Sequence, residues 1–340
     1  MSQNAYLSTP DSEYAELFNS VPYRPPSKDL AVVRNIVDNL FVGTIQEHFR
    51  PHLPQDALYD VADREVPHLD GASTLVRTVR PTHSSHEQAS FPCVVWIHGG
   101  GFSAGTISFD DFRLRIACVK YRLSVVMLEY RKGPENAFPI SLNDCFDGLR
   151  WVADNADMLR ADLTKGFIIG GTSAGANMAA VIAHRVRDDP FFEGRRLTGQ
   201  ILQVPPVCNP SAYPDEYKSQ LLSINVEEQY RKMTILTREM VFEMYNDTLH
   251  APAHEPEVSP LLLKHEDLPP AVIQVAGLDP LRDEGILYEK VLREAGVKTK
   301  LFIYPGLPHG FHLTYPKFSG SARFELDTEY ALQWLLGIIE

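Results

Sequence analysis

Cysteine is scarce in this chain: 340 residues carry four, at Cys93, Cys118, Cys145 and Cys208. They are scattered, with no CxxC pair and no metal-finger spacing, so reduced core thiols in a cytoplasmic protein are expected. Positive charge is short as well. Thirty-two Lys and Arg face 44 Asp and Glu, a net charge of −12, which argues against a nucleic-acid partner. No run approaches the ~18 unbroken apolar residues of a spanning helix, and Met1 to Pro10 has no basic stretch leading into an apolar one, so neither stable membrane insertion nor a secretory leader is expected. The Asn246-Asp247-Thr248 sequon is then read as chance. His83 and His86 sit in a polar loop with no third ligand nearby, so no metal is expected there. Internal repeats and low-complexity runs are absent too. The apolar fraction, 44%, suffices for a sizeable core.

Short apolar runs alternate with helical patterns. Val61 to Val66 and Thr74 to Val79 alternate apolar and polar about Asp70-Gly71, which predicts an antiparallel edge pair. Phe91 to Ile97, Ser124 to Tyr130, Phe167 to Ile169, Leu197 to Val204, Ala271 to Ala276 and Thr299 to Tyr304 read as buried strands. Helices are predicted over Asp110–Tyr121, Ile140–Asn155, Leu281–Ala295 and Arg323–Ile339, with a possible short one from Asp11 to Phe18. A further helix from Ser27, capped by Ser27 or Asp29, runs to Phe49 before Pro51 stops it. Pro205 to Pro256 breaks the rhythm, with helical stretches at Val226–Met233 and Arg238–Tyr245. The pattern predicts an α/β fold with a mostly parallel central sheet and helices on both faces. The segments divide as residues 1–50 (N-terminal helices), 51–204 (core), 205–256 (insertion) and 257–340 (core).

The chemistry centres on Gly171-Thr172-Ser173-Ala174-Gly175. A strand-compatible run precedes it and an Ala-rich helical run follows, the setting in which G-x-S-x-G forms a sharp turn that raises the serine above the sheet end. A serine hydroxyl needs a base to take its proton and a third group to orient that base. Asp279 follows one predicted strand and His309 the next. Asp279 is preferred as orienting acid over Asp283 and Glu284, which fall in a first helical turn where acids are common. His309, on a glycine-flanked loop, is preferred as base over His312. Three glycines after a buried strand, in His98-Gly99-Gly100-Gly101-Phe102, let backbone N–H groups face a ligand. The Gly100, Gly101 and Ala174 N–H groups are the candidate oxyanion donors.

With His98-Gly99-Gly100-Gly101-Phe102, Tyr130-Arg131, Pro134-Glu135, Phe138-Pro139, the Ser173 elbow with Asn177, Asp279-Pro280-Leu281-Arg282-Asp283-Glu284 and His309-Gly310-Phe311 in order, the chain resembles the hormone-sensitive-lipase-like α/β-hydrolases. These include microbial esterases, arylacetamide deacetylase and plant carboxylesterases. The resemblance implies an α/β-hydrolase fold and a helical cap built from the N-terminal helices and the insertion. It implies hydrolysis of small to medium, fairly apolar esters, no metal or organic cofactor, and a monomer or homodimer. His98 is then structural. Thr172 stands where the commoner elbow has Asp, and Arg131-Lys132-Gly133-Pro134-Glu135 departs from the usual Arg-Leu-Ala-Pro-Glu. A lactonase, biosynthetic deacetylase or acyltransferase on the same triad stays open. A non-hydrolytic receptor such as the plant gibberellin receptors lacks a working histidine, and dehydratases that dispense with the serine carry Thr there; His309 and Ser173 count against both. Phe102, Phe109, Tyr213, Tyr217, Tyr245 and Phe311 are candidate pocket aromatics.

Overall fold

Strand residues sort by twos. In β3 (Cys93–Ile97), Cys93, Val95 and Ile97 enter one hydrophobic core while Val94 and Trp96 enter the other, so both faces need cover. The computed structural model describes residues 3–20, 27–82, 90–225 and 228–340, and the His83–His86 loop lies outside them. Its eight strands are β1 (Tyr59–Pro67), β2 (Ser73–Pro81), β3, β4 (Ser124–Leu128), β5 (Phe167–Thr172), β6 (Gly199–Gln203), β7 (Ala271–Leu278) and β8 (Thr299–Pro308). They form one sheet in the order β1-β2-β4-β3-β5-β6-β7-β8. Only β1–β2 and β2–β4 pair antiparallel; from β4 to β8 every pairing is parallel. This is the α/β-hydrolase architecture, with the predicted edge pair in place.

The α-helices are α1 (Ser12–Asn19), α2 (Leu30–Asn35), α3 (Val42–Phe49), α4 (Asp111–Tyr121), α5 (Ile140–Asp154), α6 (Ala174–Asp188), α7 (Arg238–Glu243), α8 (Arg282–Glu294), α9 (Phe311–Thr314) and α10 (Ser319–Leu335). Helices α5, α6 and α8 pack on one face of the sheet through residues such as Leu149, Ala180 and Leu287. Helices α4 and α10 cover the other through Leu114, Cys118, Ala331 and Leu332. All four cysteines are buried and unpaired with one another; burial pushes the Cys93 and Cys118 thiols up to about 12, so they are inert at neutral pH.

Three expectations shift. The helix predicted from Ser27 starts at Leu30: Asp29 caps it, Oδ1 accepting the Ala31 N–H at 2.9 Å, while Ser27 Oγ accepts the Asp29 N–H. It then widens into a π-helical turn, Ile36–Phe41, before α3. The stretch predicted at Val226–Met233 contributes a 3₁₀ turn at Glu228–Met233, its first two residues lying outside the described ones. The terminal helix spans Ser319–Leu335, ending before Gly337 with φ 68°. Among the described residues no helix is long and apolar enough to cross a membrane.

Candidate active site

The turn at Ser173 is set by two glycines that have no room for a side chain. A Cβ on Gly171 would lie 2.6 Å from the Ile97 carbonyl oxygen, and one on Gly175 only 2.1 Å from the same atom. The elbow is thus pressed against β3, and Ser173 takes φ 53°, ψ −117° between β5 and α6. Such a backbone costs a non-glycine residue about 1–3 kcal/mol, which the surrounding bonds offset. The Ser173 N–H donates to the Gln203 carbonyl at 2.8 Å. Behind it, the Asn177 amide donates to the Pro206 and Val258 carbonyls at 2.7 and 2.9 Å.

Asp279 and His309 follow the C-terminal ends of β7 and β8, where a parallel sheet collects its functional side chains. Asp279 is buried; one carboxylate oxygen accepts the Leu281 N–H at 2.9 Å and the other meets His309 Nδ1 at 2.7 Å. His309 Nε2 lies 3.0 Å from Ser173 Oγ. The three residues singled out from the sequence therefore form one hydrogen-bonded line. With Nδ1 protonated and held by Asp279, Nε2 is left to accept the serine proton.

The competitors lie elsewhere. His312 is buried and stacks on Phe324 at 4.0 Å, and burial lowers its basicity far below the ordinary imidazole value. Asp283 and Glu284 stand in the first turn of α8, but they are buried anchors rather than exposed dipole complements. Asp283 pairs with Arg282 and accepts the Leu222 and Ser223 N–H groups at 3.0 and 2.8 Å. Glu284 accepts the Val207 and Cys208 N–H groups at 2.6 and 2.9 Å and the Tyr213 hydroxyl at 3.1 Å; burial pushes its carboxyl up to about 8. The sequence signal for this was three successive charges, Arg282-Asp283-Glu284, entering a helix in an otherwise apolar region.

The glycine-rich loop folds back on itself. Gly99 packs on the Thr172 carbonyl (a Cβ would lie 2.8 Å from its oxygen), which sets Gly100 and Gly101 beside Ser173 on one cavity. His98 is fixed by its Gly99 carbonyl at 2.7 Å, by Glu129 at 3.0 Å and by stacking on Tyr130 at 4.4 Å. Glu129, which sequence reasoning missed, also accepts the Lys132 ammonium and the Ile107 N–H. Burial alone would raise its carboxyl, but His98 and Lys132 outweigh that and hold it at about 2.

Thr172 begins a buried chain beneath Ser173. Its hydroxyl donates to Gln203 Oε1 at 2.8 Å, Gln203 donates to Gln274 at 2.8 Å, Gln274 to the Tyr304 hydroxyl at 2.7 Å, and Tyr304 to Asp327 at 3.0 Å. It crosses β5 to β8 and ends on α10.

Ser173 and His309 open into a cavity of about 470 Å³. Leu30, Val33, Val37 and Phe41 wall one side; Ile235, Leu236, Met240 and Met244 wall the other. At its rim Lys28 pairs with Glu243 at 3.1 Å. Both walls include a π-helical turn, Ile36–Phe41 and Met244–Thr248, a widening common at functional sites. Of the six candidate aromatics only Phe109 lines this cavity, joined by Phe41, which the sequence reading did not single out. Phe102, Tyr245 and Phe311 are core residues.

Residues 94–313 match the model of a family with the alpha/beta hydrolase fold. An AB hydrolase superfamily protein of Schizosaccharomyces pombe is 34% identical over 288 residues, covering 85% of this chain and 83% of that protein. The versiconal hemiacetal acetate esterase of Dothistroma septosporum is 31% identical over 252 residues, covering 74% of this chain and 75% of the relative. The solved structure of a vibralactone cyclase superposes with a TM-score of 0.92 at 38% identity, covering 98% of this chain and 96% of its own.

Proposed function

This chain belongs to the hormone-sensitive-lipase-like α/β-hydrolases, and from that premise we propose that it hydrolyses carboxylic esters through an acyl-enzyme on Ser173. The observation that carries the assignment of roles is the Asp279–His309–Ser173 line, at 2.7 and 3.0 Å, on the floor of an apolar cavity. His309 Nε2 takes the Ser173 proton as Oγ attacks the ester carbonyl. The N–H groups of Gly100, Gly101 and Ala174 receive the negative charge that gathers on the carbonyl oxygen. His309 then returns the proton to the departing alcohol. A water, deprotonated by the same nitrogen, attacks the acyl-enzyme, and the acid leaves as Ser173 regains its proton. Asp279 keeps the ring oriented and stabilises its charged form.

The cavity walls suit small to medium, fairly apolar esters. We assign residues 1–50 and the 205–256 insertion to a cap over this cavity. Four buried thiols support a cytoplasmic home, the net charge of −12 supports a working state without nucleic acid, and the family resemblance supports a monomer or homodimer.

The test is turnover of p-nitrophenyl esters from acetate to palmitate by the wild-type and Ser173→Ala proteins. Ester cleavage lost in the variant supports the reading; cleavage that survives the substitution overturns it. The likeness to a vibralactone cyclase favours a second reading on the same triad, in which a hydroxyl of the acyl group, instead of water, attacks the acyl-enzyme and closes a lactone. Lactone in place of free acid, from a hydroxy-acyl ester, distinguishes the two.

A further inference from the structure

The helix that walls the cavity has a second polar face. Leu30, Val33, Val37 and Phe41 line the cavity, whereas Arg34 and Asp38, one turn apart, reach the glycine-rich loop. Asp38 Oδ1 accepts the Gly105 N–H at 2.6 Å. Arg34 donates to the Ser103 carbonyl at 2.9 Å and the Gly133 carbonyl at 3.1 Å, and forks onto the Glu135 carboxylate at 2.8 and 2.7 Å. Ser103 to Gly105 is the limb by which the loop returns from Gly99–Gly101. The two limbs touch backbone to backbone: a Cβ on Gly105 would lie 2.1 Å from the Gly99 carbonyl oxygen, and one on Gly100 2.0 Å from that of Ala104. A grip on the returning limb therefore reaches Gly100 and Gly101 with no slack.

We propose that Arg34 and Asp38 are positioning residues that hold the glycine loop in its oxyanion-receiving shape, making the N-terminal helix part of the catalytic machinery as well as a cover. This rests on the oxyanion role proposed above for Gly100 and Gly101. Glycine backbone has the most freedom to lose, and fixing it before substrate arrives removes that ordering from the chemical step. Since the other face of the same helix touches the cavity, an acyl group that seats the helix also seats the loop.

The experiment measures kcat and KM on p-nitrophenyl butyrate for Asp38→Ala, Asp38→Asn, Arg34→Ala and Arg34→Lys, with the rate of Ser173 labelling by a fluorophosphonate in parallel. Asp38→Ala and Arg34→Ala are expected to lower kcat about ten- to hundredfold while KM moves less than about threefold, and to slow labelling alike. Asp38→Asn keeps an oxygen for the Gly105 N–H and recovers most of the rate. Val33→Ala, on the cavity side, moves KM instead. Wild-type kcat in folded Asp38→Ala and Arg34→Ala, or a loss carried wholly in KM, overturns the proposal. Should the alanine variants fail to fold, Arg34→Lys decides: it keeps the charge but loses the fork, and unchanged kcat and labelling overturn the proposal. A wild-type protein that labels at Ser173 but cleaves no ester refutes the hydrolase reading alone, and the labelling rates still judge Arg34 and Asp38.

Discussion

Gly175 and Ile97 approach more closely than any side chain permits, a Cβ on Gly175 falling 2.1 Å from the Ile97 carbonyl oxygen. Gly175→Ala must push α6 away from β3, and a stability loss of several kcal/mol is expected, read as melting temperature or soluble yield. Gly43 in α3 has open space around it. Gly43→Ala should instead stabilise by about 0.5–1 kcal/mol, since only helix propensity changes.

Asp279→Asn should keep the fold but lower kcat about 10⁴-fold, because an amide no longer selects the tautomer that leaves Nε2 free. Steady-state kinetics together with an unchanged melting temperature check this. A lower kcat that comes with a lowered melting temperature would mean that Asp279 is only a structural anchor.

Glu129 links acid stability to the glycine loop. Its carboxyl is depressed from an ordinary 4.5 to about 2, so its contribution is fully present above pH 4.5 and is lost as pH falls from there towards 2. Glu129→Gln should flatten that part of the stability curve, measured by denaturant unfolding across the window.

Glu284 has the opposite sign. Its carboxyl is raised from 4.5 to about 8, so the folded chain holds a proton that the unfolded chain releases, and stability declines as pH climbs between those values. Glu284→Gln can still accept both backbone N–H groups and should remove the decline. Glu284→Ala leaves two buried N–H groups unpaired and is expected to cost about 2–5 kcal/mol below pH 4.5, a cost that shrinks as pH climbs towards 8 and the wild type itself loses stability.

Acyl preference should follow the N-terminal wall. Val37→Phe fills the cavity and is expected to move the optimum of a p-nitrophenyl ester series to shorter chains; Phe41→Ala empties it and should move the optimum to longer ones. An optimum unmoved by either change would place the acyl group elsewhere.

Ser173, Asp279 and His309 were legible because each lies within a few residues of the end of a mainly apolar predicted strand, so strand ends locate them. The cavity wall contributed by the insertion was not. Ile235 and Leu236 lie in irregular chain between short helical turns, with no period to read. The grip of Asp38 on Gly105 joins residues 67 apart, and nothing local to either announces it. Asp283 and Glu284 were read as first-turn acids, and nothing local showed that backbone donors from residues 207–223 meet them in the interior.

The chain of bonds beneath Ser173 has a direction. Thr172, Gln203, Gln274 and Tyr304 each hand a proton donor to the next, and the sequence terminates on Asp327, which can only receive. Acidic oxygen at position 172 would confront the Gln203 oxygen, acceptor against acceptor. Turning that amide over would reverse Gln274 in turn, and so on to α10. The residue beside Ser173 is therefore not free to drift by itself: in descendants of this sequence these five positions should be inherited as a set, with the choice at 172 read out three strands and a helix away.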